Sequence, residues 1–325
     1  MSDRLDTILS PIKAEMDRLQ SLYASALTTD NALLQTVIAY LLNRNGKMMR
    51  PMLVFLCAKL LGQVNDATYH SALALELLHN ASLVHDDVVD ESDERRGQPS
   101  VNKMFNNKVA VLSGDFLLAN ALMHAGMTRN VQIIDIVSNI GRRLAEGELL
   151  QLYNTQGNDL SYDVYFDIIR NKTAILFTSA AEVAAVSVGA GRDAMKMMSQ
   201  FCEYVGLCFQ IRDDIFDYFD ESEVGKPTGN DMLEGKLTLP VLYALNNTEK
   251  SEYMELALQV RGCRASDDEI SRLVRFAKEN GGIEYAYSVI NELRAKALAL
   301  LDRFQDSDTL CALKAYLDYC IDRTK

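Results

Sequence analysis

The chain has 325 residues, of which 48% are hydrophobic and 24% are charged. This length suits one large domain or two ordinary ones, and this composition is typical of a globular protein rather than a disordered or fibrous one. Its 33 basic and 45 acidic residues give a net charge of −12, which argues against a general nucleic-acid binder, because such a protein needs a basic surface.

The distribution of proline favours an all-α fold. The chain has five prolines, and the stretch 100–226 has none, which leaves room for long uninterrupted helices. Hydrophobic residues at spacings of four and seven predict an amphipathic helix over 67–91. The segments 162–189 and 193–220 are so apolar that we expect them to form central helices of the core.

The segments between and after these helices predict loops and shorter helices. A polar break over 92–102 should end before a helix that begins near 113–115. The stretch 221–236 is rich in glycine and charge, which predicts a loop of functional length. Ser266 and Glu269 form a capping box that predicts a helix start. Because there is no internal repeat or linker, we predict a single domain over 1–325.

The start of the chain and the cysteines predict a cytoplasmic protein. The first residues lack the basic-then-apolar pattern of a secretion signal, and no run of about 18 uncharged apolar residues predicts a membrane span. None of the six cysteines forms a Cys-x-x-Cys pair. They are expected to be free thiols, mostly buried, rather than a disulfide framework or a zinc site.

Two groups of three aspartates share the spacing i, i+1 and i+4: Asp86, Asp87 and Asp90, and Asp213, Asp214 and Asp217. On a helix, the first and third members of each group lie on one face. Carboxylates in apolar surroundings are costly unless a cation compensates them, and an oxygen-only ligand set suits Mg²⁺ with substrate phosphates. A solvated acidic helix end explains either group alone equally well, but their repetition favours a metal site.

Basic residues adjoin both acidic groups: Lys47, Arg50, Arg95, Arg96, Lys172, Lys226 and Lys236. A diphosphate needs such point charges, forked hydrogen bonds and helix N-termini. Each cation alone is explained as a solvated surface residue. Together they predict two phosphate pockets beside the acidic groups.

These motifs resemble those of the trans-isoprenyl diphosphate synthases. The stretch 79–90 (HNASLVHDDVVD) and the following Arg95-Arg96-Gly97 are similar to the first aspartate-rich motif of that family, and 209–217 (FQIRDDIFD) is similar to the second. The stretch 225–240 resembles the loop that follows. Further family motifs occur in the same order: Gly46-Lys47-x-x-Arg50-Pro51, Gly114-Asp115 and Lys172-Thr173.

The resemblance implies an all-α helical bundle around a deep central cavity, usually a homodimer, with the two acidic motifs facing each other at the cavity mouth. It implies a prenyltransferase that condenses an allylic diphosphate, expected to be farnesyl diphosphate, with successive isopentenyl diphosphates and releases pyrophosphate. A long all-trans product is insoluble in water, so we also expect transient membrane contact during its release.

The resemblance also assigns roles to residues. The metal ligands, for three Mg²⁺ ions per active site, would be Asp86, Asp87, Asp90, Asp213, Asp214 and Asp217. The allylic diphosphate would contact Arg95, Lys172, Lys226 and Lys236. Isopentenyl diphosphate would contact Lys47, Arg50, His79 and Arg96, with Arg323 as a further candidate. Thr173 and Gln210 would stabilise the allylic cation or its diphosphate. A buried core histidine is the alternative explanation of His79.

Ala81 and Ser82 suggest the length of the product. They lie five and four residues before Asp86, about one helical turn of 5.4 Å deeper along the expected cavity wall. Short-chain members of the family place a bulky residue there, so these small residues predict an open tunnel and a product of roughly the octaprenyl class. The alternative is that small residues only allow close helix packing, above a floor set by a deeper residue.

Other functions remain open at this stage. A short-chain farnesyl or geranylgeranyl diphosphate synthase would share all these motifs but would lack the open tunnel. A class I terpene cyclase lacks the second diphosphate pocket, and a non-catalytic partner subunit usually lacks one acidic motif. An acidic scaffold would bind divalent ions without turnover.

Overall fold

The structure is a computed structural model, and it describes residues 2–43, 46–95, 97–155, 160–219, 229–248 and 251–323. Regular structure in these ranges is almost entirely helical, which confirms the all-α prediction. The exception is a small antiparallel hairpin in which β1 (Glu94–Arg95) pairs with β2 (Gln98–Pro99).

The helices before residue 156 carry the first basic and acidic motifs. They are α1 (Ser2–Leu9), a 3₁₀ turn (Ser10–Ile12), α2 (Lys13–Ala26), α3 (Ala32–Leu42), α4 (Met49–Leu61), α5 (Asp66–Val89), α6 (Val101–Met104), α7 (Asn107–Met127) and α8 (Val131–Thr155). The helix predicted over 67–91 is α5. It begins at a capping box in which the side chains of Asn65 and Thr68 each accept a hydrogen bond from the other's backbone N–H.

The prediction that a helix begins near 113–115 was wrong by about two turns. This helix, α7, begins at Asn107, because the Asn106 side chain accepts a hydrogen bond of 3.0 Å from the Val109 N–H and caps the first turn. α7 is also long and apolar enough to cross a membrane, but core helices of soluble proteins can have the same length and composition. One face of α7 packs along α5.

The helices after residue 160 carry the second motif. They are α9 (Tyr162–Ile169), a π-helical turn (Arg170–Ala174), α10 (Ile175–Ser187), α11 (Arg192–Phe216), α12 (Asn230–Leu233), α13 (Leu239–Asn246), α14 (Ser251–Arg261), α15 (Asp267–Glu279), α16 (Gly282–Leu301) and α17 (Asp308–Asp322). The two predicted central helices are confirmed as α9–α10 and α11. The capping box of Ser266 and Glu269 starts α15 as predicted.

The largest hydrophobic cluster joins the N-terminal helices to α4, α5, α7, α8, α10, α11 and α17. The π-helical turn packs against α8, α9, α10 and α11, and α5 packs against α4, α7, α8 and α10. All six cysteines are free thiols, and four of them are buried, as predicted. Within the stretch predicted as a loop over 221–236, the part that the structure describes contains the short helix α12, and 221–228 lies outside the described residues.

Candidate active site

The first acidic motif lies at the carboxyl end of α5. Asp86 and Asp87 occupy the last turn, and Asp90 follows it, with its N–H donating to the Asp86 carbonyl at 2.8 Å. Asp86 and Asp90 therefore share one helix face. Asp87 lies about 100° round the helix. It is 1% exposed, and Arg95 Nε donates to its Oδ1 at 2.5 Å, which joins the hairpin to the end of α5.

Asp86 is electrostatically coupled to the π-helical turn. The Nζ of Lys172 in that turn lies 2.5 Å from Glu148 Oε2 and donates to Gln151 Oε1 at 3.0 Å. Burial raises the pKa of Asp86 to about 6, and Lys172 opposes that rise while Glu148 and Asp90 add to it. Single π-helical turns are frequent at functional sites, and this one brings a lysine toward the first acidic motif.

Two glycines allow the π-helical turn to approach its neighbours. A Cβ atom on Gly206 of α11 would lie 2.7 Å from the Cα of Ala174, and one on Gly147 of α8 would lie 2.9 Å from the Cβ of Asn171. Real Cβ atoms are not found at such distances. The absence of a side chain at both positions therefore fixes how closely α8 and α11 flank the turn.

A chain of hydrogen bonds holds the second acidic motif. Tyr165 donates to Asp214 Oδ2 at 2.5 Å, and Gln210 Nε2 donates to Asp214 Oδ1 at 2.7 Å. The Thr173 hydroxyl donates to Gln210 Oε1 at 2.6 Å. Burial raises the pKa of Asp214 to about 7, and its two hydrogen bonds oppose that rise. The chain thus links the π-helical turn to the buried aspartate of α11.

Asp217 organises the segment after α11. Its two carboxylate oxygens accept hydrogen bonds from the backbone N–H groups of Asn230 at 2.8 Å and Asp231 at 3.1 Å, so it caps α12. Burial raises the pKa of Asp231 well above its usual value, and Asp217 and Asp214 raise it further. Asp231 is therefore a further carboxylate of this site, which the sequence analysis did not single out.

Lys236 is electrostatically coupled to Asp90 of the first acidic motif and to Asp231. Its Nζ pairs with Glu234. Burial lowers the pKa of Lys236, but Glu234, Asp90 and Asp231 outweigh burial and raise it overall. Eight residues discussed above line a single cavity of about 190 Å³: Gln151, Tyr165, Lys172, Thr173, Gln210, Asp214, Asp231 and Lys236.

Asp213 does not point into that hydrogen-bonded chain. Its Oδ1 accepts a hydrogen bond of 3.0 Å from Arg323 Nη2, at the end of the last helix. The second motif therefore contacts three different parts of the chain through Asp213, Asp214 and Asp217.

The basic residues expected to hold a second diphosphate lie near the start of α4. Lys47 Nζ is 5.3 Å from the centre of the Tyr319 ring. The guanidinium carbon of Arg50 is 5.6 Å from the centre of the Phe177 ring. His79 is buried on α5. Lys47 also lines a cavity of about 770 Å³ that is bounded by α1, α2, α3, α5 and β1. The assignment of these residues to isopentenyl diphosphate stays a prediction.

The two residues expected to set product length differ in burial. Ala81 is 2% exposed and belongs to the hydrophobic core, whereas Ser82 is partly exposed and its hydroxyl donates to the His79 carbonyl at 2.9 Å. Tunnel length therefore stays a prediction. Two other expected site residues, Arg96 and Lys226, lie outside the described residues.

The carboxylates fit a divalent cation that is held jointly with a ligand. Among the described residues, no three Asp, Glu, His or Cys side chains converge closely enough to form a metal site on their own. Burial and mutual repulsion nevertheless raise the pKa values of Asp86, Asp214 and Asp231, so their charged forms are disfavoured and a bound cation would stabilise them. Such spaced oxygen ligands suit an ion that completes its shell with water and phosphate oxygens.

Comparison with known proteins agrees with this arrangement. The family model described as polyprenyl synthetase matches residues 31–276. This chain belongs to the polyprenyl synthetase family. It is a polyprenyl diphosphate synthase, a prenyltransferase, which confirms the family and the enzyme class that the motifs predicted.

Three relatives illustrate the range of the family. Octaprenyl diphosphate synthase of Haemophilus influenzae is 32% identical over 98% of this chain and 97% of that protein. The structure of a geranylgeranyl pyrophosphate synthase from Bacteroides thetaiotaomicron is 50% identical, covers 99% of this chain and 100% of that one, and has a TM-score of 0.88. A polyprenyl synthase from Caulobacter crescentus, complexed with calcium and isoprenyl diphosphate, is 32% identical over 99% of this chain and 98% of that one, with a TM-score of 0.91.

Proposed function

We propose that this synthase is a Mg²⁺-dependent enzyme that condenses an allylic diphosphate with successive isopentenyl diphosphates to a long all-trans polyprenyl diphosphate and releases pyrophosphate. The observation that carries the proposal is that Lys172 and Lys236 line one cavity with Asp214 of the second acidic motif and are coupled to the first, Lys172 to Asp86 and Lys236 to Asp90. Carboxylates that alternate with lysines around one cavity suit a diphosphate bound through metal ions.

When bound, the Mg²⁺ ions would neutralise charge on the departing pyrophosphate. Asp86, Asp90, Asp213 and Asp214 are the proposed ligands, together with Asp87 and Asp217. Lys172, Lys236 and Arg95 would stabilise negative charge on the leaving oxygens once the allylic C–O bond breaks. Since Asp87 is paired with Arg95 and Asp217 caps α12, these two carboxylates would serve the metal indirectly or after rearrangement.

Thr173 and Gln210 would face the allylic cation. The Thr173 proton is used in its hydrogen bond to Gln210, so the oxygen lone pairs of Thr173 remain for the cavity. Gln210 in turn is fixed by Asp214. These preorganised dipoles would stabilise positive charge without reorganising during the reaction.

The proposed product length rests on Ala81 and Ser82, whose side chains are small and would leave the tunnel open beyond Asp86. A second candidate, a geranylgeranyl diphosphate synthase, is favoured by the 50% identical Bacteroides relative that carries this name. The purified chain would be incubated with Mg²⁺, farnesyl diphosphate and labelled isopentenyl diphosphate, followed by mass analysis of the dephosphorylated products. Products of eight or more isoprene units support the long-chain proposal, and products that end at four units support the alternative.

We also propose that the protein is a homodimer. Apolar side chains are exposed along two adjacent helices: Val111, Leu112, Leu122, Met123 and Met127 of α7, and Leu149, Leu152 and Tyr153 of α8. Exposed patches of this kind mark interaction surfaces. Analytical ultracentrifugation should give twice the chain mass for the native protein and a smaller species for Leu112→Lys; a native monomer would contradict this.

A cytoplasmic location and transient membrane contact during product release complete the proposal. Release of an insoluble product should require a lipid phase. Multiple turnover should therefore slow without detergent or vesicles, and unchanged turnover of a long product in their absence would argue against membrane contact.

A further inference from the structure

Arg323 makes a specific contact with the second acidic motif, although it lies 110 residues away in sequence. Its Nη2 donates to Asp213 Oδ1 at 3.0 Å and to the Phe209 carbonyl at 3.1 Å. The Arg323 side chain is 11% exposed and that of Asp213 is 39% exposed. The arginine thus approaches from the protein side, while the aspartate remains open to solvent.

The guanidinium of Arg323 is held from several directions. Its central carbon lies 3.7 Å from the centre of the Phe209 ring. The backbone carbonyl of Arg323 accepts hydrogen bonds of 3.4 Å from Nε and Nη2 of Arg212, which also donates to the Tyr287 hydroxyl. The end of α17 is therefore anchored by several contacts along one face of α11, and the guanidinium is positioned by the protein rather than by Asp213 alone.

The same contacts reach the basic residues near α4. The Phe209 ring packs 5.4 Å from Phe177, and the Arg50 guanidinium lies 5.6 Å from Phe177. Two aromatic rings thus separate Arg323 at the second acidic motif from Arg50 at the expected isopentenyl diphosphate pocket.

We infer that Arg323 is a positioning residue that neutralises Asp213 in the metal-free enzyme and is exchanged for a divalent metal ion when the second motif is loaded. This inference rests on the proposed function, because it requires a metal at Asp213. A partly exposed ion pair is weak, so a divalent ion that reaches Asp213 from the solvent side would replace it. Release of Arg323 would then loosen the end of α17 beside the second pocket.

Metal binding without substrate tests this inference. The probe is Mn²⁺, which accepts the same oxygen ligands as Mg²⁺ and whose free ion is counted by electron paramagnetic resonance. Arg323→Gln removes the competing cation, so we expect Mn²⁺ to bind about fivefold more tightly than to the native chain, the size expected for loss of a partly exposed pair. Arg323→Lys, which keeps the charge, should return affinity toward the native value.

Arg294→Gln is the matched control, because it removes an ion pair with Asp318 elsewhere on α17. Its Mn²⁺ affinity should equal that of the native protein. Hydrogen exchange supplies a second readout: Mn²⁺ should increase exchange at the end of α17 in the native protein, and Asp213→Asn should increase it without metal. Equal affinity in the native and Arg323→Gln proteins would overturn this inference alone, whereas failure of the native protein to bind Mn²⁺ both alone and with inorganic pyrophosphate present would overturn the proposed function as well.

Discussion

Gln210 holds Asp214 in one orientation. Its Nε2 donates to Asp214 Oδ1 at 2.7 Å, and its Oε1 is occupied by the Thr173 hydroxyl, so the amide cannot flip without losing both bonds. This single side chain therefore connects the residue expected to face the allylic cation with the buried carboxylate of the second motif.

Replacing Gln210 should impair chemistry more than binding. In Gln210→Leu, Asp214 loses a donor and the Thr173 hydroxyl loses its acceptor, so we expect kcat to fall about 10- to 100-fold with little change in KM. Steady-state kinetics of pyrophosphate release measures both. Gln200→Leu removes a comparable amide on the same helix, bonded to Glu203 instead, and should retain native kcat. Equal losses in the two variants would refute the role of Gln210.

Gly206 should tolerate no side chain. In Gly206→Ala the new Cβ would lie 2.7 Å from the Ala174 backbone, and we expect the free energy of unfolding to fall by about 1 to 3 kcal/mol. Gly126→Ala is the control, because its Cβ meets nothing within 4 Å, and alanine should stabilise that helix by about 0.5 to 1 kcal/mol. Urea unfolding measures both; a Gly206→Ala protein of native stability would show that the π-helical turn can move away.

The histidine pair His70 and His124 should contribute stability that is lost below about pH 6.5. The raised pKa values of Asp86 and Asp214 act in the opposite sense, so the contribution of the pair is the difference between the native protein and a variant without it. His70 and His124 join α5 to α7 through Nδ1 atoms 2.9 Å apart, and burial lowers the pKa of both, with Asp66 opposing and Arg18 adding to the effect at His70. The unfolded chain then binds more protons, so stability is present above the unfolded pKa and is lost as pH falls. Thermal unfolding of the two proteins between pH 8 and 5.5 measures this difference.

His70→Gln serves as the variant for that pH dependence. Glutamine keeps a hydrogen-bonding group beside His124 but does not titrate, so the Tm of this variant should rise relative to that of the native protein as the pH falls. An identical pH profile in the two proteins would assign the acid sensitivity to other groups.

Bulky residues beneath Asp86 should shorten the product if the tunnel prediction is correct. Ser82→Phe is the cleaner variant because Ser82 is partly exposed, whereas Ala81→Phe enters a packed core and risks destabilisation. Mass analysis of the product should show loss of several isoprene units in Ser82→Phe. Leu83→Phe, on the face that lines the 770 Å³ cavity, should not shorten it. Unchanged length in Ser82→Phe would place the floor elsewhere.

The sequence predicted those features that depend on local patterns. The hydrophobic spacing in α5 and the repeated aspartate spacing are properties of single helices, so both could be read directly. The start of α7 was missed because Asn106 caps it through one side-chain bond that no periodicity reveals.

Contacts between distant segments could not be predicted. Tyr165 is 49 residues from Asp214, and Arg323 is 110 residues from Asp213, and neither pair has a spacing that indicates contact. Asp231 was accessible in principle, since it lies within the recognised loop motif, but its significance depends on Asp217 and Asp214 lying beside it in the fold.

The most direct test of the account is pyrophosphate release by the purified chain from farnesyl diphosphate and isopentenyl diphosphate, with Mg²⁺ and with EDTA, for the native protein, Asp86→Asn and Asp213→Asn. Asp93→Asn, which removes an exposed aspartate paired with Lys103, is the control. We expect Mg²⁺-dependent release by the native and control proteins and a loss of about 100-fold or more in each motif variant. If the native protein released pyrophosphate at an undiminished rate in EDTA, or if either motif variant released it at the native rate, a shared metal–diphosphate site between α5 and α11 would be contradicted.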